Sequence, residues 1–237
     1  MKWEVYIVVP ERVEGLSVHA VTQLFLTTGL IDVSDIKSND KTPSWDGSIT
    51  LYNDESRKKD NIYGRADIQI KGHEVKKDEL SKESIQETVS VADLKNYIKK
   101  GGVLYFIVNL TEFGNSVYCI ELLPIVIEEL MTGKDNQNTI TIKTGKIDGD
   151  KKSVVDFVER FIFNSRLQRS FYTSESSRLK VEEVELHHGP FMLSPLKQDI
   201  LKSPIPAVLY RDCGEYYVPL RMANIIKIRG LCIDSDV

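Results

Sequence analysis

Asp46, Gln69 and Lys71 are the residues whose types and spacing can do chemistry. Asp46 stands at the start of the strand-like run "WDGSITLYN", residues 45–53, and Gln69 and Lys71 lie in "GRADIQIKG", residues 64–72. In the second run Ala66, Ile68 and Ile70 alternate with Asp67, Gln69 and Lys71, so at period two the polar trio shares one face. An acidic residue at a strand start, set across a hairpin from Gln-x-Lys, can hold a divalent metal against a phosphate. A carboxylate with an amide or backbone oxygen suits Mg²⁺, which takes oxygen ligands and keeps several waters. A lysine beside the metal can orient or deprotonate an attacking water and offset charge building up on the phosphate.

The surrounding chain must supply the elements that bring these groups together. Residues 3–9, "WEVYIVV", read as an edge strand, and 14–28 as a helix closed by Gly29. A polar loop over 32–44 leads to the strand at 45–53, and the charged "DESRKKDN" at 54–61 is the turn of a hairpin whose second arm is 64–71. The Lys- and Glu-rich 73–86 reads as a flexible loop, followed by a short strand at 87–91 and a helix at 92–100 stopped by Gly101 and Gly102. "VLYFIVNL" at 103–110 is apolar enough for a central strand buried on both faces, and 116–123 pairs with it after the "EFGN" turn. A helix at 124–132 and the strand "NTITIKTG" follow. The whole predicts an α/β fold around a mixed sheet flanked by helices, over residues 1–150.

After residue 150 the pattern changes. "SVVDFVERFIFNSRLQRSFY" is helical and "PAVLYRDCGEYYVPLRMANIIKI" reads as strands around a Gly-centred turn. Residues 151–237 are therefore expected to form an α+β, β-rich extension or the start of a second, truncated module.

With a formal charge of −4 and a pI near 5.7, the chain is not a globally basic nucleic-acid coat, although a local basic site remains compatible. No apolar run approaches the roughly 20 residues of a membrane span, and Glu4 and Pro10 interrupt the apolar N-terminal patch, against a signal peptide. Cys119, Cys213 and Cys232 are widely spaced, with no CxxC or Cys/His cluster, as for free thiols in a reducing, cytoplasmic setting. His187 and His188 are adjacent and point apart in any regular element, a poor chelate.

"SWDG" followed across a charged turn by "IQIKG" resembles the PD-(D/E)XK, restriction-endonuclease-like nuclease superfamily, in a variant with Gln at the second acidic position. The resemblance covers roughly residues 11–132 and extends to the Mrr-like group and to bacterial nuclease domains associated with phage defence. It implies a restriction-endonuclease-like fold and a Mg²⁺- or Mn²⁺-dependent endonuclease. Asp46 would bind the metal, Gln69 would stand at the D/E position, the Ile70 carbonyl would be a further ligand and Lys71 would be the motif lysine. Glu14 matches the glutamate that many such enzymes carry on or before the first helix. The long interval from Asp46 to Gln69 requires an extended hairpin.

The resemblance makes nucleic acid, DNA before RNA, the expected partner. Double-strand cutting would bring two copies together as a homodimer or higher oligomer, and residues after 150 would sense, oligomerise or choose the target. The alternative is a catalytically inactive module of the same fold, kept for nucleic-acid binding or protein assembly. Weaker features have bland readings beside the functional ones. His19 and His73 can line the cleft or be ordinary surface histidines, and Trp45 is expected in the core. Lys76, Lys77, Lys82, Lys95, Lys99 and Lys100 are a basic rim or a scattered surface.

Overall fold

The computed structural model describes residues 10–36, 44–134, 136–173, 191–195, 205–212 and 217–225. The segment 3–9, His187, His188, Cys213 and Cys232 lie outside the described residues. Helix α1, Pro10–Leu26, starts earlier than the apolar spacing predicts. Pro10 suits a first helical position, where no N–H is needed, and Glu11 faces the positive end of the dipole. Val13, Ser17, Ala20, Val21 and Phe25 form its buried stripe. The chain turns through Gly29, at φ +79°, into the two-residue strand β1, Ile31–Asp32.

The expected hairpin is present. Strands β2, Gly47–Tyr52, and β3, Ile62–Glu74, pair antiparallel with Ile49 opposite Ala66 and Gly47 opposite Ile68. β3 runs on past the end of β2, and its far half pairs in parallel with β5, Val103–Thr111. β5 is buried from Val103 to Leu110 and forms a hairpin with β6, Gly114–Leu122.

Residues 73–86 are more ordered than their composition predicts. They contain the end of β3, a 3₁₀ turn at Lys77–Ser81 and the start of β4, Ser84–Ser90. β4 is followed by helix α2, Val91–Lys100, capped by Ser90 at one end and by left-handed Gly101 at the other. Helix α3, Pro124–Met131, and strand β7, Thr139–Lys146, match their expected positions. β7 pairs with β4 along its whole length but meets β6 only at Tyr118 and Cys119. The result is a seven-stranded mixed sheet in the order β1-β2-β3-β5-β6-β7-β4. Although β4 is last in that order, its Glu87 reaches His73 of β3, so the β4–β7 pair curls back across one sheet face.

The two faces carry separate cores. Ile68, Ile70 and Phe106 meet Phe25 of α1 on one side. Tyr105, Ile107 and Tyr118 meet Leu94 and Tyr97 of α2 and Ile140 and Ile142 of β7 on the other. Helix α4, Lys151–Thr173, adds Val154, Val158, Phe161 and Ile162 to the first core. A second, three-stranded antiparallel sheet holds β8, Phe191–Pro195, β9, Ile205–Asp212, and β10, Tyr217–Ile225, in the order β10-β9-β8. Its Tyr210 hydroxyl donates to Asn164 Oδ1 at 2.8 Å and accepts from Gln168 Nε2 at 2.8 Å, both on α4. Among the described residues no helix is long and apolar enough to cross a membrane.

Candidate functional site

The segment carrying Asp46 is held by unusual backbone on both sides. Ser44 sits at φ +75°, a costly conformation for a residue with a Cβ. It is retained because Ser44 Oγ donates to Asp93 Oδ1 at 2.6 Å and accepts from Asn96 Nδ2 at 3.2 Å. Asp93 is fixed in turn by the Ser90 hydroxyl, which donates to its Oδ2 at 2.7 Å. Gly47 has φ +140°, and a Cβ there would overlap the Asp35 carbonyl, so only glycine fits. Trp45 packs edge-on to Tyr97 at 5.9 Å, in the second core as expected.

Asp46 extends the β2–β3 ladder by side chain. Its N–H donates to the Ile68 carbonyl at 3.1 Å, and its Oδ2 accepts from the Ile70 N–H at 2.6 Å. The same oxygen accepts from Gln69 Nε2 at 2.6 Å. In a strand the N–H and C=O of one residue point to the same edge, so the Ile70 carbonyl also faces the Asp46 side. Gln69 is buried, and its Nε2 donates both to Asp46 Oδ2 and, at 3.4 Å, to the Ile70 carbonyl, so it is the amide nitrogen that faces these two oxygens.

A cleft of about 930 Å³ opens where β3 outruns β2, and it is lined by Asp46, Gln69, Ile70, Lys71 and Glu14 together. Glu14 arrives on the first turns of α1, while Ser90, Asp93 and Tyr97 form the α2 side. Lys71 is exposed on the same strand face as Gln69. Two residues further, His73 Nε2 lies 2.7 Å from Glu87 Oε2 of β4. That hydrogen bond raises the histidine above its ordinary value and lowers the glutamate, while nearby Lys71 opposes the histidine's charge. Burial raises the Tyr97 and Tyr105 phenols, keeping them neutral donors beside the carboxylates.

Compared with family models, curated proteins and solved structures, this chain matches none. Its functional reading rests on the geometry of the cleft.

The other candidates separate. Asp67 shares the β3 face with Gln69, but its charged neighbours are Lys100, Arg169 and Arg65, and it does not line the cleft. His19 is exposed and also lies off the cleft. The lysines do not form one rim. Lys76 and Lys77 lie by a second groove, and Lys82 pairs with Glu79 at 2.6 Å. The Ser44–Asp93–Ser90 brace escaped the sequence reading, although Ser90-x-x-Asp93 before an apolar stretch is a legible capping signature.

Among the described residues no group of three or more His, Cys, Asp or Glu could hold a metal. The oxygens near one another are the Asp46 carboxylate and the Ile70 carbonyl, which share Gln69 Nε2 as a donor, and the Glu14 carboxylate lines the same cleft. Such an all-oxygen set, with few carboxylates, suits Mg²⁺, which is commonly held by one or two carboxylates, waters and substrate phosphate.

Proposed function

We propose that the chain is a metal-dependent phosphodiesterase acting on nucleic acid, DNA first, with a PD-(D/E)XK-like site on a restriction-endonuclease-like sheet. The observation that carries this reading is the convergence of Asp46, Gln69, Ile70, Lys71 and Glu14 on one cleft, with Asp46 bonded to both Ile70 and Gln69. In this reading Asp46, the Ile70 carbonyl and, once its amide turns over to present oxygen in place of Nε2, Gln69 would hold a Mg²⁺ or Mn²⁺ ion, with Glu14 adding a carboxylate from α1. Such an ion supplies Lewis-acid polarisation of a phosphoryl oxygen and a more acidic bound water.

The chain's own groups do the rest. Lys71 orients the attacking water and offsets charge on the phosphate. The Ser44–Asp93–Ser90 brace keeps Asp46 in line with β3. Tyr97 and Tyr105 bound the cleft with neutral hydroxyls. A homodimer that presents two clefts would serve double-strand cutting, in a cytoplasmic, bacterial defence role.

The test is plasmid cleavage with Mg²⁺ or Mn²⁺ by wild type, Asp46→Ala and Lys71→Ala. Each variant is expected to lose about a hundred-fold or more in rate. Equal cutting by wild type and Asp46→Ala would overturn the assignment.

A second reading has one observation in its favour: Asp46 Oδ2 is already satisfied by two donors. On that reading the module binds nucleic acid without cutting it. Calorimetric titration of Mn²⁺ in the presence of DNA then gives no heat, and Gln69→Glu restores metal binding by replacing a donor with a second carboxylate.

A further inference from the structure

Beside the cleft, where β3 and β5 end in parallel, lies a groove of about 390 Å³. Its floor is closed by the Val75 N–H donating to the Leu110 carbonyl at 2.9 Å. Arg12 and Leu16, one turn apart on α1, form one wall. The β5–β6 turn forms the other and holds out Phe113, which is 64% exposed. That exposure is built into the turn, because the Phe113 N–H donates to Thr111 Oγ1 at 3.1 Å and the same hydroxyl donates to the Gly114 carbonyl at 3.2 Å. Lys77 Nζ stands 4.5 Å from the ring centroid and covers one face of the ring, leaving the opposite face for a partner.

Groove and cleft are neighbours. Glu74 lines both, and α1 stands between them, with Val13 and Glu14 toward the cleft and Arg12 and Leu16 toward the groove. From Lys71 to Glu74 is about 10 Å along an extended strand.

We propose that this groove is a base-binding subsite for an unpaired nucleotide strand leaving the cleft, with a base stacked on Phe113 and phosphates met by Arg12, Lys76 and Lys77. The inference rests on the cleft being a phosphodiesterase site and specifies the form of its substrate. An aromatic ring presented face-outward suits a single strand, whose bases expose their faces, whereas a duplex hides them in its own stack. The three cations favour nucleic acid over an apolar peptide. Glu74 and Glu112 share the groove, so its positive excess is small and stacking carries more of the binding than charge does.

The test is fluorescence anisotropy of a labelled single-stranded oligothymidylate and of a duplex of equal length, with the full chain in EDTA so that nothing is cut. Phe113→Ala is expected to weaken single-strand binding about ten-fold, the scale of one lost base–aromatic stack. Phe113→Trp restores it, and its indole fluorescence is quenched on binding. Lys76→Ala with Lys77→Ala lowers the salt dependence. Unchanged binding by Phe113→Ala, equal affinity for duplex and single strand, or no binding by wild type overturns the subsite. The phosphodiesterase reading fails separately, through the cleavage assay on Asp46→Ala.

Discussion

Replacing Gly72 with alanine is a direct probe of how α1 is seated over the site. Gly72 lies on β3 between Lys71 and His73, opposite Val108 of β5 and directly under α1. A Cβ there would overlap Ser17 Oγ and would stand 2.9 Å from Val13 Cγ1 and 3.1 Å from Ser17 Cβ. Ser17 can turn aside only by giving up its 2.7 Å bond to the Val13 carbonyl, a loss of about 1 kcal/mol. The remaining contacts push α1 outward, and overpacking of this kind costs about 1–3 kcal/mol. The expected destabilisation is therefore about 2–4 kcal/mol, read as a lowered urea midpoint at unchanged slope.

A double-mutant cycle isolates the cause. In a Ser17→Ala background the hydroxyl is gone, and Gly72→Ala should cost about 1 kcal/mol less. Because α1 carries Glu14, the proposed phosphodiesterase activity should also fall in the single variant at temperatures where it is fully folded. A Gly72→Ala protein as stable as wild type, or one whose cost is the same in both backgrounds, would refute the close-approach argument.

Two pH dependences follow from buried or paired groups. His73 is raised by Glu87, so the stability from its charge is fully present below its ordinary value and is lost as pH climbs through its folded value. Glu87 is lowered, so its share is present above the ordinary glutamate value and is lost on acidification through its folded value. The wild-type advantage over His73→Gln, measured by urea unfolding, should therefore peak in mildly acidic buffer and shrink toward alkaline pH. Glu121 behaves oppositely. Burial pushes it up to about 7 from 4.5, against the pull of Arg160, whose Nη2 donates to Oε1 at 2.6 Å. The unfolded chain ionises first, so wild type should lose about 3 kcal/mol relative to Glu121→Gln as pH rises from about 4.5 to 7. A flat difference across that range would show the carboxylate to be ionised throughout.

The elements that periodicity governs were legible in the sequence. The β2–β3 hairpin, the doubly buried β5 and the glycine stop of α2 each leave a local trace in residue spacing. The grouping of Asp46, Gln69 and Lys71 was legible for the same reason, since they lie at the start of one arm and on the other arm of one hairpin. The missing parts depend on distant partners. The first residues of β4, Ser84, Ile85 and Gln86, read as loop because none of their side chains is fully buried, and their ladder lies on β7. Parallel pairing of β3 with β5 has no sequence signature, so the bond from His73 to Glu87 could not be foreseen. The glycine after Lys71 could be noticed but not explained, since its reason is a helix packed across it. Asp67 shows the same limit: period two places it on one face with Gln69, and only the chain around it shows Lys100 and Arg169 as its neighbours.

The pairing of β4 with β7 also sets a clock. β4 leaves the ribosome two helices and two strands before its partner, so it waits unpaired for a time on the order of seconds during synthesis. Thr88, Val89 and Ser90 take their places in the cleft wall only once Thr139–Lys146 has emerged. A growing chain thus carries Asp46, Gln69 and Lys71 well before it has an enclosed place for them to act. The cleft thus waits on the emergence of β7, and a nascent fragment ending before it would hold Asp46, Gln69 and Lys71 without the wall that lines their cleft.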